Sequence, residues 1–165
     1  MSKAHRYAEV IRRLQTLIEG ETDEVAIMAT MVCELHHGLD HFDWTGFYRV
    51  TSPGVLTIGP YQGGHGCLRI PFDRGVCGRC AREARPQVVD DVSRLPYHIA
   101  CSSTTRSEIV VPVLDSSGAV RAVLDVDSDR LAAFDQTDAF HLQAICGWFK
   151  TIYSTSPAAP LGPHP

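Results

Sequence analysis

The stretch that decides the fold is Ser107-Glu-Ile-Val-Val-Pro-Val-Leu-Asp-Ser-Ser-Gly-Ala-Val-Arg-Ala-Val-Leu-Asp-Val-Asp-Ser128. Two apolar, β-branched runs, Ile109 to Leu114 and Val120 to Val126, flank Asp115-Ser-Ser-Gly118, whose residue types suit a tight reversal. Strands joined so closely are antiparallel neighbours, because a parallel pair needs a long crossover. Pro112 has no N–H to give to a ladder and is expected at an edge, a bulge or an unpaired position. Side chains alternate along a strand. Val120, Ala122, Leu124 and Val126 therefore fall on one face, and Val123, Asp125 and Asp127 on the other. Glu108 opens the partner strand, so three carboxylates can converge there. They would suit a ligand ammonium group, and one of raised pKa could donate a proton. A solvent-exposed strand face would give the same pattern.

The segments around this hairpin repeat its logic. Phe42 to Val50 and Val55 to Ile58 read as strands joined by the turn Thr51-Ser-Pro-Gly54. Residues 60–75 are Gly-rich and read as a long loop with strand pieces near Leu68 and Ile70. Residues 76–84 suit a short helix opened by Gly75, Gln87 to Val89 a brief strand, and 93–107 a polar loop. Upstream, Tyr7, Val10, Ile11, Leu14, Leu17 and Ile18 recur at helical spacing over 3–19, and Gly20 ends the helix. Thr22 is placed to cap a second helix, with Asp23 and Glu24 in its first turn and an apolar stripe of Val25, Met28, Ala29, Val32, Leu35 and Leu39. Phe134 to Tyr153 reads as a single terminal helix. Helices at both ends of a run of hairpins imply an α+β fold, a central antiparallel sheet with helices packed on one face. Residues 1–153 are expected to form one domain, and the Pro-rich residues 154–165 a disordered tail.

Composition narrows the function classes. The chain has 165 residues and a formal net charge of −4. No long basic run is present, which argues against a nucleic-acid partner. No apolar run approaches the roughly 20 residues that span a bilayer. The first residues lack the apolar core of a signal peptide. The expectation is a cytoplasmic protein whose six cysteines are thiols, metal ligands or catalysts rather than structural bridges.

Three cysteines stand in distinctive settings: Cys67 in Cys-Leu-Arg-Ile-Pro, Cys77 in Gly-Val-Cys-Gly, and Cys101 in His-Ile-Ala-Cys. Cys77 falls at the start of the short helix, where the dipole lowers a thiol pKa, and Arg79 would favour the thiolate further. Cys101 is followed by Ser-Ser-Thr-Thr-Arg, a poor setting for a buried hydrophobe. Cys33 and Cys146 lie beside apolar stripes and read as small buried side chains. Cys77 and Cys80 also make a C-x-x-C spacing, open to a redox bridge or to zinc with Cys67, Cys101, His65 or His98. A structural zinc site usually shows two such pairs, and only one is present. No metal or organic cofactor is expected. Phosphate-loop and dinucleotide fingerprints are absent.

Taken together, Trp-Thr-Gly-Phe-Tyr at 44–48, Gly-Pro-Tyr-Gln-Gly at 59–63, Cys-Leu-Arg-Ile-Pro at 67–71, Asp-Arg-Gly-Val-Cys-Gly at 73–78, Asp-Asp-Val at 90–92, His-Ile-Ala-Cys at 98–101, Ser-Glu-Ile-Val at 107–110 and Leu-Asp-Val-Asp-Ser at 124–128 resemble the free methionine-R-sulfoxide reductases, single-domain proteins of the GAF superfamily. The likeness runs over nearly the whole chain. It implies a GAF fold with a lidded pocket on the sheet face opposite the helices, and reduction of free methionine sulfoxide, the R epimer, by thiol chemistry. It also implies Cys101 as nucleophile, Cys67 as the resolving cysteine that forms a disulfide with it, and Cys77 as an auxiliary thiol. Glu108, Asp125 and Asp127 would hold the substrate, with Asp125 or Asp127 assisting proton transfer, and Trp44 and Tyr48 would wall the pocket. A dithiol protein such as thioredoxin would restore the thiols, and homodimers are common in the family. Helix-terminus reasoning favours Cys77 as nucleophile; the resemblance favours Cys101, and we follow the resemblance. Departures from the family pattern are Cys80, the segment 102–106 with Arg106, and Ala122 where glycine is usual. Two other classes fit the same residues: a non-catalytic GAF module that senses a small molecule, and a thiol or zinc redox sensor built on Cys77 and Cys80.

Overall fold

The 107–128 hairpin forms as its sequence dictates. In the computed structural model, which describes residues 2–96 and 103–155, the two strands pair with Glu108 opposite Asp127, Val110 opposite Asp125 and Pro112 opposite Val123. The Asp115 carboxylate fastens the turn by accepting from the N–H groups of Ser117 and Ala119 at 2.9 and 3.0 Å. Around it the chain runs α1 (Lys3–Leu17), α2 (Glu24–Gly38), β1 (Trp44–Ser52), β2 (Val55–Gln62), β3 (Arg69–Pro71), α3 (Gly75–Glu83), β4 (Gln87–Val89), β5 (Ser107–Leu114), β6 (Val120–Ser128), α4 (Gln136–Cys146) and α5 (Phe149–Thr155). The six strands make one sheet in the order β3-β2-β1-β6-β5-β4, every neighbouring pair antiparallel. Pro112 is tolerated inside it because β4 pairs with β5 only as far as Val110; on that side Pro112 lies past the end of the ladder.

Strand alternation divides the core in two. Phe47, Ile109, Val111, Val113, Ala122, Leu124 and Val126 meet the apolar stripes of α1, α2, α4 and α5 in the larger cluster. Trp44, Tyr48, Val110 and Val123 face the other way and pack with Val76, Cys77, Cys80 and Ala81 of α3. The helices α1, α2, α4 and α5 cover one face, and α3 lies over the opposite face, because its own apolar stripe must also be buried.

Corrections to the expected elements have local causes. The cap of α2 is Asp23, not Thr22; its carboxylate accepts from the N–H groups of Val25 and Ala26. The buried stripe of α2 is Ile27, Met28, Met31, Val32 and Leu35. Val25 and Ala29 of the expected stripe are exposed. β2 extends to Gln62, into the segment read as loop. The terminal helix is two helices, broken at Gly147 and Trp148; glycine is a weak helix former. Val120 packs toward the α3 side, because the ladder slips between Val113 and Leu114. Cys33 is exposed, whereas Cys146 is buried as expected. Residues 156–165 of the predicted tail lie outside the described residues.

The α1–α4 seam carries a buried charge. Asp138 is fully buried. It accepts from the Tyr7 hydroxyl at 2.9 Å, the Lys3 ammonium at 2.5 Å and the Asp135 N–H at 2.8 Å, and lies 2.9 Å from His41 Nε2. Burial alone would raise its pKa, but the hydrogen bonds from His41, Lys3, Asp135 and Tyr7 outweigh it and hold the carboxyl well below its ordinary value. Among the described residues, no helix is long and apolar enough to cross a membrane.

Candidate active site

The three carboxylates of the hairpin are brought together on the α3 side of the sheet. Register places Glu108 opposite Asp127 and one diagonal step from Asp125. On the far side of β6, Trp44 of β1 lies opposite Asp127, Gly46 opposite Asp125 and Tyr48 opposite Val123. Gly46 leaves the room that the indole occupies: a Cβ there would come within 2.4 Å of Trp44 Cη2 and 2.7 Å of Tyr61 Cβ. Trp44 consequently stacks between Tyr48 and Tyr61, with ring centroids at 5.9 and 5.6 Å, and its indole N–H donates to the Gly64 carbonyl. The exposed-face alternative for the carboxylates is ruled out, since Glu108 and Asp125 are 5% and 6% exposed.

α3 closes this face from above. Its approach depends on Gly78, where a Cβ would stand 2.6 Å from the Pro71 carbonyl and 2.7 Å from that of Phe72. The helix brings Cys77 onto the acids. Ligand atoms of Cys77, Glu108 and Asp125 all lie within 4.8 Å of one another, and Asp125 is hydrogen-bonded to both Cys77 and Glu108. Asp125 Oδ1 is buried with no hydrogen-bond partner among the described residues.

Burial without water sets the protonation of these groups. Asp125 is pushed up to about 7 by burial, held back by its hydrogen bonds from Cys77 and Glu108. Glu108 is pushed well above its ordinary value by burial and then by the charges of Asp125 and Asp127. Asp127 is raised by burial, Asp125 and Asp129. Near neutral pH the cluster therefore holds protons that it can deliver, and an arriving ammonium group would favour its ionised forms. Burial also raises the Cys77 thiol, seconded by Asp125 and Glu108. The helix-start argument for an acidic Cys77 is thereby overturned, because desolvation and two neighbouring acids outweigh a short helix's dipole. Arg79 pairs with Glu83 at 3.0 Å.

A pocket of about 360 Å³ opens at the Asp127 end, lined by Asp43, Trp44, Gly64, His65, Ser103, Thr104, Thr105, Asp127 and Asp129. Cys67 stands on the segment between β2 and β3; its backbone N–H hydrogen-bonds the Tyr48 hydroxyl, and its sulfur is disulfide-bonded. Cys33, Cys77, Cys80 and Cys146 are free. A Cys77–Cys80 bridge is thus absent, and the Cys80 thiol instead donates to the Val110 carbonyl at 3.6 Å. Cys101 and His98 lie outside the described residues. Arg106, one of the departures from the family pattern, is exposed at the foot of β5.

A model of the GAF domain matches residues 21–147. The free methionine-R-sulfoxide reductase of Saccharomyces cerevisiae is 39% identical over 151 residues, covering 88% of this chain and 84% of its own. The chain belongs to the free methionine-R-sulfoxide reductase family of GAF domains. Within that family, the solved structure of the Neisseria meningitidis reductase in complex with its substrate superposes with a TM-score of 0.87 at 42% identity, covering 93% of this chain and 92% of that one. A GAF domain-containing protein A of Dictyostelium discoideum is 40% identical over 144 residues, 87% of this chain and 90% of its own length.

Several residues in or beside the pocket of this reductase-family chain escaped the sequence reading. Asp43 braces the β6 end by accepting from the Ser128 hydroxyl and the Asp129 N–H at 3.1 and 2.8 Å. Tyr61 stacks on Trp44, and its place in Gly-Pro-Tyr-Gln-Gly was the available signal. Thr104, Thr105 and Asp129 reach the pocket from segments with no period to read.

Proposed function

We propose that this protein reduces free L-methionine-(R)-sulfoxide to methionine through a cysteine sulfenic acid and an intramolecular disulfide. Cys101 thiolate attacks the substrate sulfur while Asp125 or Asp127 gives a proton to the departing oxygen. The protonated oxygen passes from the substrate sulfur to the Cys101 sulfur as the sulfur–sulfur bond between them breaks, so methionine leaves and Cys101 becomes a sulfenic acid. The Cys67 thiol condenses with it, releasing water and forming the disulfide. A dithiol reductant such as thioredoxin restores both thiols by exchange and is itself oxidised. Cys77 serves as an auxiliary thiol and proton partner of Asp125. Trp44 and Tyr48 hold the apolar part of the substrate.

The observation that carries this reading is the buried cluster of Glu108 and Asp125, hydrogen-bonded together, beside Asp127 on the pocket wall. Acids packed this way gain from an ammonium group, which only a free amino acid presents; a peptide-bound residue lacks it. The disulfide-bonded state of Cys67 supports its role as the resolving thiol. The reading puts the protein in the cytoplasm, where dithiol reductants are kept.

Methionine formation from resolved R and S free sulfoxides, and from the N-acetylated R compound, tests it. Turnover of the free R epimer alone is expected, and Cys101→Ser should abolish it even with dithiothreitol present. Equal rates on the acetylated compound would defeat the ammonium argument. Tight binding without turnover would instead make the protein a sensing module.

A further inference from the structure

Among the described residues the C-x-x-C pair does not come together as a metal site, but the tertiary structure assembles a different one around Cys77. Cys77 of α3, Glu108 of β5 and Asp125 of β6 come from three elements far apart in sequence, and each offers a ligand atom within 4.8 Å of the other two. All three are at least nine-tenths buried. Asp125 Oδ1 has no hydrogen-bond partner among the described residues, which is costly inside a protein unless something fills the need. We propose that this trio is a seat for a thiophilic divalent cation of the zinc class, and that the cation inhibits the enzyme by occupying the place of the substrate's ammonium group.

The donor set decides the class of cation. One thiolate with two carboxylate oxygens suits zinc or cobalt, whereas magnesium and calcium prefer oxygen alone. Zinc–sulfur bonds of about 2.3 Å and zinc–oxygen bonds of about 2.0–2.2 Å put tetrahedral donors roughly 3.6 Å apart. Side chains whose atoms already lie within 4.8 Å need to close by only about 1 Å. The trio supplies three ligands and leaves the fourth position open, as in sites where the metal stays exchangeable. Metal and ammonium are both cations seeking the same carboxylates, so their binding is mutually exclusive. The inhibition rests on the reductase reading; the metal seat itself does not.

Cobalt spectroscopy tests the seat without any turnover. The protein is taken with Cys67 disulfide-bonded and with Cys33→Ser, so that neither the Cys67 sulfur nor the exposed thiol beside His37 offers a thiolate. Titration with Co2+ should produce a near-ultraviolet sulfur-to-metal charge-transfer band that Zn2+ erases. Cys77→Ser should remove the band, and Asp125→Asn should weaken cobalt binding at least tenfold in a protein whose circular dichroism is unchanged. In steady state, Zn2+ should raise the apparent KM for the free sulfoxide and leave kcat unaltered. A band that survives Cys77→Ser, or no band at saturating cobalt, overturns the seat. A protein that turns over the sulfoxide but shows no band loses only this inference; one that shows the band but no turnover loses only the reductase reading.

Discussion

Asp138 and Asp125 are both buried acids, one on each side of the same sheet, and their surroundings are opposite. Asp138 sits in the α1–α4 seam among donors and a cation: Lys3, Tyr7, His41 and the Asp135 N–H. Asp125 sits under α3 among groups of its own kind, a thiol and another carboxyl. The first arrangement satisfies the charge and lowers the pKa; the second raises it to about 7. Compensated burial serves stability, and uncompensated burial leaves a site eager for a proton or a cation. The α1–α4 seam is thus built to hold, and the α3 side carries the site proposed for the chemistry.

The sharpest break of this comparison exchanges function for stability. Asp125→Asn should cut turnover by roughly 10²–10⁴-fold, the range of lost general-acid catalysis, while its midpoint in urea stays level or rises. A normal rate with a lowered midpoint would show that Asp125 is structural. Asp138→Asn is the mirror image. Leaving Lys3, His41 and Tyr7 around a neutral amide should cost about 3 kcal/mol, since breaking a buried pair strands its partner, with the rate per folded molecule unchanged.

Titration separates the two acids as well. The folded pKa of Asp138 lies below its unfolded value, so its contribution is complete above about pH 4 and is lost as pH falls through the folded pKa. Stability measured from pH 5 downward should therefore fall more steeply in the native chain than in Asp138→Asn. Parallel curves would show that the seam carries no such linkage.

Gly78→Ala gives the smallest effect and probes the reactive side alone. Its Cβ would press on the Pro71 and Phe72 carbonyls, pushing α3 off the sheet at a cost of about 1–3 kcal/mol. Because Cys77 is the preceding residue, KM and kcat should both suffer at temperatures where the variant is still folded. A variant that loses stability and keeps full activity would separate α3 from the chemistry.

Much of this was legible in the chain itself. Period-two alternation and the Asp115–Gly118 turn are local properties, so the β5–β6 hairpin and the shared face of Asp125 and Asp127 follow from sequence. Local motifs such as Trp-Thr-Gly-Phe-Tyr and Leu-Asp-Val-Asp-Ser likewise gave the family. Burial is not local. Whether the acid face of β6 meets water or protein depends on where α3 lands, and α3 is tied to that face by contacts from Ile70 to Val123 that no spacing encodes. For the same reason sequence reasoning made Cys77 acidic from its helix position, while packing raised its pKa by removing water. Sequence set which residues could share a face; the tertiary structure decided which face was dry, and desolvation there sets the chemistry.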